Sequence, residues 1–226
     1  MTLEWGVVGG LMAWGTLAGL DLASVLQALV SRPLVVGAGA GWIVGDVEAG
    51  LRVGALLELF ALDVVPVGSS RYPDFGAATI GAVVVAAGGP WHQTLGWAAG
   101  IGLALATVSG ATLTTTRRLN ARTVRAHADR LTAGDDRAVR TVHWAGLGHD
   151  AVRSGLVAIL SLAIAFAIRR SGLGPSAGAG TALTAVALAG GAWAVAHGAV
   201  ASGRSGPRWR WALAGLGVGV AVTALR

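Results

Sequence analysis

Residues 94–118 read TLGWAAGIGLALATVSGATLTTTRR, and this stretch decides the fold class. It is apolar or weakly polar from Thr94 to Thr116 and then meets Arg117 and Arg118. A helix of about twenty such residues is long enough to cross the hydrocarbon core of a bilayer. Paired arginines are typical of the cytoplasmic end of such a helix. The stretch therefore predicts a transmembrane helix.

The rest of the chain has the composition of a membrane protein. Of its 226 residues, 54% are hydrophobic and only 12% are charged, whereas a soluble domain carries roughly 25% charged residues. No basic residue precedes the first apolar run, so we expect it to be a retained helix and not a cleaved signal peptide. We predict an all-α, polytopic protein with six to eight membrane segments. The further apolar runs are 5–20, 33–45, 51–65, 75–89, 155–168, 177–200 and 211–225.

A polar stretch divides this single membrane domain, 1–226, into two halves. The first half is 1–116, the basic segment is 117–150 and the second half is 151–226. All 17 basic residues are Arg. The basic segment is predicted to be helical over 118–142. By the positive-inside rule we expect it to be cytoplasmic. The cluster consists of Arg117, Arg118, Arg122, Arg125, Arg130, Arg137, Arg140 and Arg153.

The region between residues 22 and 65 does not look like an ordinary pair of spans. Residues 22–30 are predicted to form a short amphipathic piece, and Ser31-Arg32-Pro33 predicts a break, because proline lacks an amide donor. The apolar runs that follow are short, rich in glycine and interrupted. Such segments are typical of broken or re-entrant helices beside a binding site.

Four acidic residues stand in or beside these apolar runs: Asp46, Glu58, Asp63 and Asp74. An ionisable side chain at the centre of a membrane helix costs at least about 2.5 kcal/mol and usually faces protein or water. They are therefore candidate binding residues. The alternative is that they cap helix ends, an explanation that suits Glu58 least.

Glycines recur at four-residue spacing, at 37, 41 and 45 and again at 50 and 54. Such spacing lets two membrane helices approach closely, and none of these patterns has the lysine of a phosphate-binding loop. We interpret them as helix packing.

The order and spacing of several motifs resemble a known family. The motifs are Ser31-Arg32-Pro33-Leu34, Gly45-Asp46, Gly50, Gly54, Leu57-Glu58-Leu59, Leu62, Pro66-Val67-Gly68, Pro73-Asp74, His127-Ala128-Asp129 and Gly134-Asp135. This pattern is similar to the IIC membrane subunit of the mannose/fructose/sorbose class of the bacterial phosphoenolpyruvate-dependent sugar phosphotransferase system. Two departures are Ser69-Ser70-Arg71-Tyr72, where the family has small residues, and a last third rich in Ala and Gly.

The resemblance implies a permease subunit of the bacterial inner membrane that recognises a hexose-type sugar with a IID partner. It also implies that phosphate comes from a IIB protein, so no catalytic residue, cofactor or metal is expected in this chain. Glu58 and Asp74 are expected to contact the sugar, and Asp46 either contacts it or caps a helix. Asp63 completes the candidate set. Arg32, Pro33, Gly45, Gly54, Pro66, Gly68 and Pro73 are motif residues with structural roles.

Three other functions stay open. An intramembrane enzyme could use Ser109, His149, Asp150 and His197, although their spacing matches no known catalytic set. The basic segment could bind nucleic acid, but it also carries acidic residues and lacks interleaved aromatics, so no nucleic-acid partner is expected. A degenerate or regulatory relative of the IIC subunit would fit the two departures. Whether a tryptophan such as Trp42 or Trp91 stacks on sugar, and whether the chain forms a homo-oligomer, is left open.

Overall fold

A computed structural model describes residues 4–25, 27–64 and 72–197. Every regular element within these ranges is a helix, which confirms the all-α prediction. The motif residues Pro66 and Gly68, the predicted last helix 211–225 and the side chain of His197 lie outside the described residues. The helices are α1 Trp5–Ala23, α2 Pro33–Val44, α3 Val47–Ala61, α4 Phe75–Ala86, α5 Trp91–Ala126, α6 Ala128–Thr132, α7 Asp136–Ser171 and α8 Ala177–His197.

Helix length separates the spans from the broken region. Within the described ranges, four helices are long and apolar enough to cross a membrane: α1, α5, α7 and α8. The apolar helices α2 and α4 have only 12 residues each, which gives about 18 Å at 1.5 Å per residue, against about 30 Å for a hydrocarbon core. The two short segments predicted on either side of Asp46 correspond to α2 and α3.

Helices α2 and α3 form an antiparallel hairpin whose turn is Gly45-Asp46. Asp46 caps α3 by accepting from the Ala49 N–H, and its other oxygen accepts from the N–H of Gly88, just after α4. At the far end of the hairpin, Glu58 accepts from the N–H of Leu34 at the start of α2. We call these two ends of the helix bundle the Asp46 side and the Glu58 side.

The centre of the bundle is α4, of which every residue is buried. Because α4 ends beside Asp46, its first residues lie on the Glu58 side, where Asp74 caps it by accepting from the Gly76 N–H. On the Asp46 side, one guanidinium nitrogen of Arg169 donates to the carbonyls of Val84 and Ala87. Each end of this short buried helix thus bonds a side chain of the charge that the helix dipole favours, an acid at its start and an arginine at its end.

The glycine pattern packs α2 against α3, as predicted. A Cβ added at Gly50 would lie 2.3 Å from the carbonyl oxygen of Gly37, and one added at Gly41 would lie 2.9 Å from Gly50 Cα. Such distances leave no room for any side chain, so the two backbones touch directly. Gly45 has a different role, because its φ of 79° is the left-handed conformation that ends α2.

Two sequence predictions need correction. The amphipathic piece predicted over residues 22–30 is not a separate element, because residues 22–23 still belong to α1. Residues 24–25 and 27–31 form an irregular turn with Gln27 and Leu29 at positive φ. Asp21 holds this turn, since its carboxylate accepts from the N–H groups of Ala28 and Ser31. The helix predicted to end at Arg117-Arg118 continues to Ala126. Arginine is a good helix former, so a pair of arginines at the end of an apolar run does not end the helix.

The predicted span 155–168 is likewise the membrane part of a longer helix, α7. Helices α5 and α7 have 36 residues each, about 54 Å at 1.5 Å per residue, and both project past the Glu58 side. The short α6 and a turn at Gly134, with φ 74°, join their projecting ends. We call this projection, residues 117–150, the basic arm.

Candidate functional site

Glu58 lies on α3 in an ion pair with Arg32. The Nε of Arg32 donates to Oε1 of Glu58 at 2.6 Å, and Nη2 reaches the same oxygen. The second oxygen, Oε2, accepts from the Leu34 N–H at 3.2 Å. Pro33 at the first position of α2 has no N–H, so the first N–H of the helix that can bond the carboxylate is that of Leu34. The side chains of Glu58 and Arg32 stay 18% and 34% exposed, so a polar ligand could reach them.

Asp74 is far more enclosed. Its carboxylate is buried and accepts from three donors: the Gly76 N–H at 3.2 Å, the Ser109 hydroxyl at 2.7 Å and Nη1 of Arg153 at 2.8 Å. Its own N–H donates to the carbonyl of Ala106 on α5. The carboxylate therefore ties α4 to α5 and α7 at the Glu58 side of the bundle.

Arg153 is the residue that sequence reasoning placed wrongly. It was grouped with the basic cluster, yet its side chain is only 5% exposed and is paired with Asp74. Its guanidinium also reaches the hydroxyls of Thr112 and Ser154, while Nε is buried without a hydrogen-bond partner among the described residues. Its position in the sequence could have indicated burial, since Arg153 lies just before the apolar run 155–168.

The remaining acidic candidates lie at different places. Asp46 lies at the opposite end of α3 from Glu58, twelve positions away along the chain, which is about 18 Å at 1.5 Å per residue. Asp63 is exposed just after α3, on the Glu58 side. The structure therefore brings Glu58, Asp63 and Asp74 to one end of the bundle and leaves Asp46 at the other.

The motif residues within the described ranges have local roles in shaping this end. Pro33 starts α2, and a Cβ added at Gly54 would lie 2.7 Å from the carbonyl oxygen of Pro33. Pro73 precedes the capping Asp74, and a Cβ added at Gly110 would lie 3.2 Å from Pro73 Cα. Close backbone contacts thus fix where Arg32 and Asp74 begin their helices.

Of the four residues named for an enzyme, the three whose side chains the structure describes do not bond to one another. Ser109 donates to Asp74, His149 shares a hydrogen bond with the Asn120 side chain at 2.7 Å, and Asp150 accepts from the hydroxyl of Ser24. These are three separate pairs. In the part of the chain that the structure describes, no group of three His, Asp or Glu residues is placed to hold a metal ion.

The basic arm carries its own internal ion pair. Arg130 donates to Asp135 at 2.8 Å, and this bond is the main reason that the pKa of the Asp135 carboxyl lies below its usual range. Asp135 also caps α7 through the N–H groups of Arg137 and Ala138. Part of the positive charge in the arm is therefore used within the arm itself.

The two tryptophans weighed as sugar platforms differ in their surroundings. The guanidinium of Arg52 lies 5.2 Å from the ring centroid of Trp91 and also pairs with Glu48 on the same helix. Trp42 is 77% exposed on α2. One ring is thus already covered by a cation, and the other faces outward from the bundle.

Residues 8–191 match the family described as the PTS system sorbose-specific IIC component. The chain belongs to this family. Among curated relatives, the sorbose-specific EIIC component of Klebsiella pneumoniae is 32% identical over 145 residues, which cover 62% of this chain and 52% of that protein. The mannose-specific EIIC component of Escherichia coli strain K12 is 28% identical over 141 residues, covering 62% and 51%. This IIC-family chain therefore spans about half the length of the curated relatives it matches.

Solved structures agree on the fold of this IIC-family chain. One, titled a structure of a membrane protein, superposes with a TM-score of 0.72 at 20% identity and covers 99% of this chain and 95% of the other. A second is the mannose transporter ManYZ in complex with microcin E492, with a TM-score of 0.63 at 23% identity and coverage of 100% and 95%. Both likenesses extend over nearly the whole chain, and at these identities they concern the fold.

Proposed function

We propose that this chain is the sugar-recognising membrane subunit of a phosphotransferase system, and that it moves a hexose-type sugar across the bacterial inner membrane. The family match over residues 8–191 is the observation that carries the proposal. Sorbose-specific and mannose-specific relatives support a sugar of this size. The chain acts as a transporter subunit and not as an enzyme.

Glu58 is the residue we propose to contact the sugar. Carboxylates accept hydrogen bonds from sugar hydroxyls. A buried polar group left without a hydrogen bond costs about 1–3 kcal/mol, so a pocket that excludes water selects the sugar whose hydroxyls match its polar groups. Glu58 is accessible, charged and held in one orientation by Arg32 and the Leu34 N–H. A sugar hydroxyl could share its carboxylate with Arg32 without leaving either ion unpaired.

Asp74 is proposed to act with Glu58, and its surroundings suggest how. Its three donors are the Gly76 N–H, the Ser109 hydroxyl and Arg153, and it is buried at the start of α4. A sugar that reached it would displace the Ser109 hydroxyl or approach after a shift of α4 relative to α7. Asp63 and Asp46 remain secondary candidates on opposite sides of the bundle.

Partner subunits complete the proposed activity. We propose that a IID membrane subunit shares the sugar pathway and that a IIB phosphocarrier supplies the phosphate on the cytoplasmic side. The structural neighbour titled as the ManYZ mannose transporter supports a membrane partner. The basic arm is proposed to face the cytoplasm, because its arginines follow the positive-inside rule.

Equilibrium sugar binding tests this proposal. The purified protein, alone and with its candidate IID partner, is titrated with a panel of hexoses and amino sugars. Saturable binding of one sugar is expected, weakened at least about tenfold in Glu58→Gln, which corresponds to about 1.4 kcal/mol.

The matched control is Glu48→Gln, because Glu48 lies on the same helix, is largely exposed and pairs only with Arg52 among the described residues. Its affinity should equal that of the unaltered chain. Absence of binding by a folded protein in the presence of IID would contradict transport and favour the regulatory alternative. Equal losses in both variants would remove Glu58 from the sugar site.

A further inference from the structure

An open groove of about 670 Å³ lies between α5 and α7, away from Glu58. Its α5 wall consists of Thr112, Thr115, Thr116 and Leu119, and its α7 wall runs as one stripe from Ala145 to Leu160. The positions on α7 recur at three and four residues, so they share a face of the helix. The groove is therefore a continuous furrow along the two longest helices.

The depth of the groove matches one leaflet of a membrane. Arg153 and Arg169 mark the two ends of buried α4 and are sixteen residues apart on α7, about 24 Å, close to the roughly 30 Å of a hydrocarbon core. Leu160 lies near the middle of that interval, about 10 Å from Arg153. Ala145 lies about 12 Å from Arg153 in the other direction, at headgroup level. The furrow thus extends from the surface to the membrane centre.

Polar and apolar groups are separated along this furrow. Its deeper part is lined by Leu156, Val157 and Leu160, and Leu156 and Leu160 are 61% and 42% exposed. Towards the basic arm it is lined by threonine hydroxyls, His149 and Arg153. The Nε of Arg153 is buried and lacks a hydrogen-bond partner among the described residues. That nitrogen is enclosed by the surrounding protein atoms, so the polar groups that an occupant can contact at this end are the threonine hydroxyls and His149.

The charge around the polar end favours an anion. Arg122 lies three residues beyond Leu119 on α5 and is exposed, as is Arg118. Of the nearby carboxylates, Asp74 is paired with Arg153. Asp150 accepts from the Ser24 hydroxyl and keeps its charge, so the two exposed arginines exceed the one uncompensated carboxylate. Basic pockets between membrane helices bind the headgroups of anionic lipids, and arginines near the membrane surface strengthen such binding.

We infer that this groove binds one anionic phospholipid from the leaflet on the side of the basic arm. An acyl chain lies along Leu156 and Leu160, and the phosphate lies among the threonine hydroxyls, His149 and Arg122. The groove adjoins the Asp74–Arg153 pair through Arg153 and does not include Glu58, and the inference does not rest on the proposed transport activity.

Native mass spectrometry of the full chain in detergent tests the inference, with phosphatidylglycerol and phosphatidylcholine of identical acyl chains as probes. We expect one phosphatidylglycerol to bind at least about tenfold more tightly than phosphatidylcholine. Gly148→Leu should weaken this binding by a similar factor, because Gly148 lines the groove and a Cβ there meets no atom within 4 Å. The substitution therefore fills the groove without disturbing the core.

Two matched controls complete the design. Gly100→Leu introduces the same side chain at another open position, on the membrane part of α5, and should leave lipid binding unchanged. Arg122→Gln should reduce the preference for phosphatidylglycerol, whereas Arg140→Gln should not, since Arg140 lies about 140° around α7 from Ala145.

Equal binding of the two lipids, or equal behaviour of Gly148→Leu and Gly100→Leu, would overturn the inference. A complex of doubled mass whose formation Gly148→Leu prevents would overturn it too, because the groove would then hold a second copy of the chain.

Discussion

The Arg153–Asp74 pair is a buried ion pair between α7 and the start of α4. Both side chains are at least 95% buried, and removing one partner of a buried ion pair typically costs 3–5 kcal/mol, since the other charge stays unpaired. We expect Arg153→Met to lower the free energy of unfolding by about that amount, measured by thermal unfolding in detergent.

The double variant Asp74→Asn/Arg153→Met is the informative control for this pair. Because it leaves no buried charge, it should be more stable than Arg153→Met alone. A double variant that is less stable, by the sum of the two single effects, would show that the residues do not act as a pair. Sequence alone could not reveal this contact, since 79 positions separate the two residues.

Other residue roles were within reach of the sequence. Asp46 was weighed as a helix cap, and it does cap α3. The second bond, to the Gly88 N–H 42 positions away, depends on how the two turns meet in space. A capping preference is local chemistry that a short motif displays, whereas a long-range partner is decided by tertiary packing.

At the scale of elements, the α2–α3 hairpin rests on direct backbone contact between glycines. A Cβ at position 50 would lie 2.3 Å from a main-chain oxygen that cannot move alone. We expect Gly50→Ala to force the helices apart and to cost about 1–3 kcal/mol of stability, measured in the same unfolding assay.

Gly100→Ala serves as the control for this prediction, because a Cβ at Gly100 has open space and alanine is the better helix former by up to about 1 kcal/mol. It should be neutral or stabilising. If both variants unfold alike, the hairpin does not depend on close glycine packing.

Element boundaries were the least predictable part of the fold. Apolar length located α1, α5 and α8 in the sequence, and the interrupted runs located the short α2 and α3. The sequence did not show that α5 continues to Ala126 or that α7 already starts at Asp136. In both cases one helix joins an apolar span to part of the polar segment. Hydropathy changes at the membrane surface, but the helical backbone continues wherever residues such as Arg and Ala favour it.

At the scale of the whole molecule, the basic arm sets the orientation that we propose. The chain contains no cysteine, so a single introduced cysteine reports its side of the membrane. We expect Ala133→Cys to be labelled only from the cytoplasmic side by an impermeant reagent, because arginines flank it.

His92→Cys is the complementary position, since it is exposed at the start of α5 on the Asp46 side. It should be labelled only from the periplasmic side. Reversed labelling of the two positions would place the basic arm outside the cell and contradict the proposed access of a IIB protein.

The central proposal is that this IIC-family chain moves a sugar, and uptake tests it most directly. Vesicles containing the chain and its candidate IID partner, supplied inside with a phosphorylated IIB protein, are given the labelled sugar found by binding. We predict accumulation of the sugar phosphate inside the vesicles, reduced at least about tenfold in Glu58→Gln and unchanged in Glu48→Gln. Vesicles that bind the sugar yet accumulate no sugar phosphate would contradict a transport function.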